Sequence, residues 1–291
     1  MKGKKIQAVI CGVILGASVW MSGQAWADIQ GDAQKAIENY EQAISANPND
    51  AEAYFLMGNA YDDLGDKHKA IECYEKAIGI APNGSGAYYN MGLVYSDLGE
   101  NHKAIKYYEK AINIKPNYAP AYFNMGNAYY VLGDKYKAID CYEKAINIDS
   151  NYATAYGNMG NMYSDLGDKH KAIECYEKVI SIVPNDVNAY FNMGNTYDNL
   201  GDKFKAIECY EKAISIDSNY ATAYCNAGIV YYNLGDKNKA IAYWEKATSI
   251  KPDYAFAYWN LGVVYEELGN TKKANECYEK CHELDPSYRN R

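Results

Sequence analysis

Apolar and polar positions recur along this chain with a period of 34 residues. In the stretch Ala119–Tyr152, Tyr122, Met125, Gly126 and Tyr129 fall three and four apart. After Gly133 the same spacing returns with Ala138, Ile139, Tyr142, Ala145 and Ile146. Spacing of three and four places side chains on one face of an α-helix, so each period predicts two amphipathic helices joined by a turn. Seven full units follow one another without insertion: 51–84, 85–118, 119–152, 153–186, 187–220, 221–254 and 255–288. Before them, Ala36, Ile37, Tyr40, Ala43 and Ile44 mark one further helix, so that 28–50 is a half unit in the register of a second helix.

Numbering each unit from its first residue, Tyr stands at position 4, Gly at positions 8 and 15, and Ala at position 20 throughout. Gly65, Gly99, Gly133, Gly167, Gly201, Gly235 and Gly269 end the first helices by taking a left-handed backbone without a Cβ penalty. Asp66, Asp134, Asp168, Asp202 and Asp236 come next and are placed to cap the second helices. Pro82, Pro116, Pro184, Pro252 and Pro286 stop them. The glycine at position 8 (Gly58 to Gly262) lies inside a helix, where it costs about 1 kcal/mol relative to Ala. Close approach to the alanine at position 20 is the expected reason. One unit is too short to bury its own apolar face, so stability requires neighbours to stack. The last unit carries Asn275 and His282 where interior units are apolar, which suits an outer face that nothing covers.

These residues at these offsets resemble the tetratricopeptide repeat family, over 51–288 in full and as a half unit before it. The resemblance implies an all-α fold: a right-handed superhelical solenoid of helix-turn-helix repeats, with first helices lining a concave groove. It also implies a non-catalytic scaffold or adaptor that binds a protein segment, in bacteria often in cell-envelope assembly. Two alternatives stand beside it: a self-associating structural scaffold, and an accessory subunit of a separate enzyme such as a glycosyltransferase. Family members that grip acidic chaperone C-termini carry Lys or Arg at positions 2, 5 and 6; this chain has neither there, so that carboxylate clamp is absent.

The N-terminus reads differently from the rest. Lys2, Lys4 and Lys5 precede an apolar run from Ile6 to Trp20, and Ala25-Trp26-Ala27 closes the segment. This is the layout of a secretory signal peptide, residues 1–27, cleaved after Ala27. Export to a periplasm or secretion is the expectation; an uncleaved membrane anchor is the other reading. The net charge of −8, with arginine confined to Arg289 and Arg291, argues against a nucleic-acid partner.

Candidate chemistry is sparse. Cys73, Cys141, Cys175, Cys209 and Cys277 share position 23 of their units, too far apart across repeats for disulfides. Cys277, Cys281 and His282 only loosely approach a haem-attachment spacing, and His68, His102 and His170 are separated by whole repeats. No nucleophile set or phosphate loop is visible, so neither enzymatic activity nor a cofactor or metal is expected.

The groove is the better candidate. Asn90, Asn124, Asn158, Asn192, Asn226 and Asn260 occupy position 6, and Asn59, Asn127, Asn161 and Asn195 occupy position 9. By the family resemblance both positions face the concave side. An asparagine carries donor and acceptor, so a ladder of them can pair with the N–H and C=O groups of an extended peptide. Phe123 at position 5 and Tyr130 at position 12 are the aromatic candidates beside it. Position-5 aromatics also suit packing between neighbouring helices. Acids at positions 12 and 13, such as Asp62, Asp63 and Asp97, predict an acidic edge and a neutral to basic, partly apolar peptide partner.

Overall fold

The computed structural model describes residues 23–290; the apolar run of the proposed signal peptide lies outside the described residues. The described chain is all-helical: α1 (Gly23–Ala46), α2 (Ala51–Asp63), α3 (Lys67–Ile80), α4 (Ser85–Asp97), α5 (Asn101–Ile114), α6 (Ala119–Val131), α7 (Lys135–Ile148), α8 (Ala153–Asp165), α9 (Lys169–Ile182), α10 (Val187–Leu200), α11 (Lys203–Ile216), α12 (Ala221–Asn233), α13 (Lys237–Ile250), α14 (Ala255–Glu267) and α15 (Thr271–Leu284), closed by a 3-10 turn at Pro286–Asn290. It forms two compact units, divided between Ala155 and Tyr156 inside α8. In the first, α2 pairs with α3, α4 with α5 and α6 with α7, and α1 packs on α2. In the second, α10 pairs with α11, α12 with α13 and α14 with α15.

Each turn is built as the glycine pattern requires. All seven glycines at position 15 have positive φ, from +74° at Gly269 to +87° at Gly201. The next residue then caps the second helix: Asp66 Oδ1 accepts from the Lys69 N–H at 3.2 Å, and Asp134, Asp168, Asp202, Asp236 and Asn270 act alike. Glu100 is one methylene too long and makes no such bond. The lysine three residues past each cap lies over the ring of the tyrosine at position 11, as Lys137 does 5.1 Å from the Tyr129 centroid. A cation between a carboxylate and a ring face fastens the second helix to the end of the first.

The core of a pair centres on the aromatic at position 24. Tyr74, Tyr108, Tyr142, Tyr176, Tyr210 and Trp244 are at most 2% exposed. Each ring lies under the glycine at position 8 of its own unit. A Cβ on Gly126 would sit 2.7 Å from Tyr142 Cε1, and one on Gly228 would sit 2.6 Å from Trp244 Nε1. The alanine at position 20 is close as well, the Ala138 carbonyl lying 3.2 Å from a Cβ on Gly126, but the nearest neighbour is the ring at position 24, which the sequence reading left out. The alanine is buried, but the ring one turn further along the second helix fills the space. On its other side the ring meets the next repeat: Tyr74 clusters with Ala70 and with Met91 and Val94 of α4. The ring of Tyr278 in the 255–288 repeat is only partly buried, and among the described residues no further repeat packs on it.

A second aromatic layer explains positions 5 and 34. Phe123 lies between Tyr142 (5.7 Å) and Tyr152 (4.8 Å), and Phe191 between Tyr210 (5.9 Å) and Tyr220 (5.0 Å). Trp259 is enclosed in the same way by Tyr278 and by Tyr288 of the terminal turn. Where position 5 is Gly157, position 34 is Asp186, which instead caps α10 by accepting from the Ala189 N–H at 2.8 Å.

Candidate peptide-binding face

Positions 6 and 9 of a first helix are three residues apart and share one face. In the first unit Asn59 Oδ1 accepts two hydrogen bonds, from the Tyr74 hydroxyl (2.8 Å) and from Asn90 Nδ2 of the next repeat (2.7 Å). The second unit repeats this twice. Asn161 Oδ1 accepts from the Tyr176 hydroxyl (2.8 Å) and Asn192 Nδ2 (3.2 Å). Asn195 Oδ1 accepts from the Tyr210 hydroxyl (2.7 Å) and Asn226 Nδ2 (2.9 Å). In α6, Asn127 Oδ1 accepts from the Tyr142 hydroxyl at 2.8 Å, while Asn124 Nδ2 donates to the Tyr89 hydroxyl at 2.9 Å. Asn158 stands at the same register of α8 and is half-buried.

The oxygens of Asn59, Asn161 and Asn195 are thus each taken twice, once by the tyrosine of the same repeat and once by the asparagine of the next. Sequence reasoning missed the tyrosines at position 24 as their holders. The signal was present: Asn at position 9 recurs with Tyr fifteen residues later. Where position 9 is not Asn, the tyrosine's partner changes. Leu93 leaves the Tyr108 hydroxyl buried without a hydrogen bond of normal geometry, with Ser96 beside it. Ile229 coincides with Trp244, whose Nε1 donates instead to the Cys225 carbonyl at 3.0 Å, and it strands the buried Asn260 Nδ2 of the following repeat. In the last repeat, with Val263, the Tyr278 hydroxyl donates to Glu266 at 2.8 Å.

Phe123, proposed from the sequence as a ligand contact, is 1% exposed. Its place in the aromatic layer withdraws it from any ligand, which corrects that assignment. Tyr130 remains available at 46% exposure, next to Val131 at 66%. The acidic edge is largely neutralised by lysines at position 17. Lys67 bridges Asp62 (2.7 Å) and Asp97 of the next repeat (2.6 Å), Lys203 pairs with Asp198 (2.5 Å), and Lys237 pairs with Glu267 (2.9 Å). Burial and the neighbouring Asp62 hold the Asp63 carboxyl above the usual range.

Family models of the tetratricopeptide repeat match along most of the chain, among them residues 51–83, 85–118, 119–152, 188–219 and 255–288, with further matches at 29–65, 160–201, 204–235 and 231–269. The chain belongs to the tetratricopeptide repeat family. No curated protein sequence matches it. Among solved structures, the tetratricopeptide array is similar to MamA at 30% identity and a TM-score of 0.54, over 57% of this chain and 98% of that one. YrrB, described as a tetratricopeptide protein with an unusual peptide-binding site, matches at 27% identity and a TM-score of 0.57, over 64% of this chain and 96% of that one. The pilF protein of Pseudomonas aeruginosa, at 19% identity and a TM-score of 0.58 over 69% of this chain and 92% of its own, shares the fold.

The remaining sequence candidates fall inside the tetratricopeptide packing. The described cysteines are free, and all are buried except Cys277, which is half-buried. Burial pushes the Cys73 and Cys225 thiols up to about 11 and those of Cys141 and Cys209 up to about 12. Among the described residues no group of three or more His, Cys, Asp or Glu converges on a metal position, and no helix is long and apolar enough to cross a membrane.

Proposed function

We propose that this tetratricopeptide protein is a scaffold without catalytic activity of its own, which holds an extended segment of another protein against the asparagine face of its first helices. The observation that carries the reading is the repeated Asn–Asn pairing across successive first helices. The same polar pair occurs once in the first compact unit and twice in the second, and Tyr130 and Val131 lie exposed on α6 of the first. Such a face makes little demand on ligand sequence. With most edge acids paired to lysines, a neutral, partly apolar segment fits it best, and a basic one fits where Asp63 stands unneutralised. The peptide-binding site described for the similar protein YrrB supports the same reading.

The N-terminal pattern supports export with cleavage after Ala27, and so a partner in the cell envelope. N-terminal sequencing of the exported protein checks this: a chain beginning at Asp28 is expected, and one beginning at Met1 contradicts it. For the groove, wild-type protein and a variant with Asn124, Asn192 and Asn226 changed to Ala are compared in pull-downs, with captured segments mapped by protection from proteolysis. These position-6 residues are chosen because the position-9 oxygens keep their tyrosine donors. Capture of a defined segment by wild type and its loss in the variant is expected; equal capture by both sinks the asparagine face. Light scattering that shows only self-association would replace the adaptor with a homo-oligomer.

A further inference from the structure

We propose that Tyr176 and Tyr210 are positioning residues which fix the polarity of the asparagine face, so that it takes the main chain of an extended peptide by alternating donors and acceptors. The inference rests on the groove reading above and names what the groove recognises.

Tyr176 and Tyr210 are 2% and 1% exposed, and their hydroxyls donate to Asn161 Oδ1 and Asn195 Oδ1. Turning either amide over would aim an NH2 group at the phenol and strand its proton in the core. That costs about 1–3 kcal/mol. The oxygen is therefore held inward. The same oxygen also receives Nδ2 of the next repeat's position-6 asparagine, Asn192 or Asn226, which orients that amide too. What is left over is fixed in consequence. Among the described residues, nothing engages Nδ2 of Asn161 or Asn195, or Oδ1 of Asn192 or Asn226. The face offers donor, acceptor, donor, acceptor from α8 through α10 to α12. An extended peptide backbone carries the complementary alternation of C=O and N–H, whatever its side chains. The internal contrast is Tyr108: its position-9 neighbour is Leu93, and its hydroxyl holds nothing in place.

The test uses the full mature chain and a fluorescein-labelled decapeptide of alternating Thr and Val, followed by fluorescence anisotropy. A second probe is the same peptide N-methylated at alternate residues. Wild type is expected to bind the first probe and to bind the N-methylated one at least about tenfold more weakly. Changing Tyr176 and Tyr210 together to Phe is expected to weaken binding by about tenfold. Tyr108→Phe, a ring of the same burial, is expected to leave it unchanged. If the double Phe variant folds poorly, Asn161→Asp with Asn195→Asp serves instead. Aspartate still accepts from tyrosine and asparagine but presents an oxygen where the donor was, and the same loss is expected. Wild-type affinity in the Phe or Asp variants overturns the positioning role and leaves the groove standing. Equal binding of the N-methylated probe overturns main-chain recognition. No binding of either probe by wild type overturns this inference together with the groove reading.

Discussion

At the scale of single residues, the same tyrosine does opposite things in different repeats. Tyr210 donates to Asn195, whereas Tyr108 is buried with its hydroxyl unmatched. A satisfied buried hydrogen bond contributes about 1 kcal/mol, and an unsatisfied group carries a desolvation cost of similar size. Tyr210→Phe is therefore expected to destabilise by about 1 kcal/mol and Tyr108→Phe to stabilise by about as much, as read from urea unfolding midpoints. Equal effects at the two sites would contradict the assigned hydrogen bonds. The offsets of Asn59, Asn127, Asn161 and Asn195 were legible in the sequence as a polar ladder. Their inward bonds were not, because an asparagine in a repeat pattern looks the same whether it faces ligand or tyrosine. Phe123 misled for a related reason: its true neighbours, Tyr142 and Tyr152, lie nineteen and twenty-nine residues away, and only packing brings them to its ring.

At the scale of helices, glycine decides how closely a pair can pack. On Gly126 an added methyl would meet the Tyr142 ring at 2.7 Å and the Ala138 carbonyl at 3.2 Å. Gly126→Ala is expected to destabilise by about 1–3 kcal/mol through overpacking, despite its helix propensity. Gly157 is helical too, but its methyl would find Val179 at 3.8 Å and nothing nearer. Gly157→Ala is expected to stabilise by up to about 1 kcal/mol. Thermal melts of the two single variants should move in opposite directions, and a shared direction would refute this account of the close approach. Helix boundaries were legible because Gly133, Asp134 and their equivalents supply a backbone conformation and a cap that few other residues supply. The partner of the helical glycine was not: position 20 and position 24 lie on the same helical face, and choosing between them takes coordinates.

At the scale of the molecule, each compact unit is a run of paired helices whose cores are continuous from repeat to repeat. The thiols are enclosed within that packing. Burial raises Cys141 and Cys209 from an ordinary value of 9.0 to about 12. A group whose folded pKa is raised stabilises the fold fully below its unfolded pKa and loses that contribution as pH climbs through the folded value. Stability from these thiols is thus expected to hold up to about pH 9 and to fall between about pH 9 and 12. Ellman's reagent at neutral pH is expected to label native protein slowly and denatured protein at once. Rapid labelling of the native chain would contradict the burial, and would make the cysteines a liability in the oxidising compartment that the N-terminus suggests. The pairing of consecutive helices was legible from the 34-residue period alone. The neutralised groove edge was not, since Lys67 and Asp97 belong to different repeats and meet only after stacking.

At all three scales the asparagine face is the part proposed to hold an extended peptide. The most direct measurement is an NMR titration that follows the side-chain amide resonances of 15N-labelled asparagine as a captured partner segment is added. The expected result is saturable shifts at Asn161, Asn192, Asn195 and Asn226, with the buried tyrosine ladder intact. Asparagine side-chain amides that stay unmoved while the segment binds would contradict it.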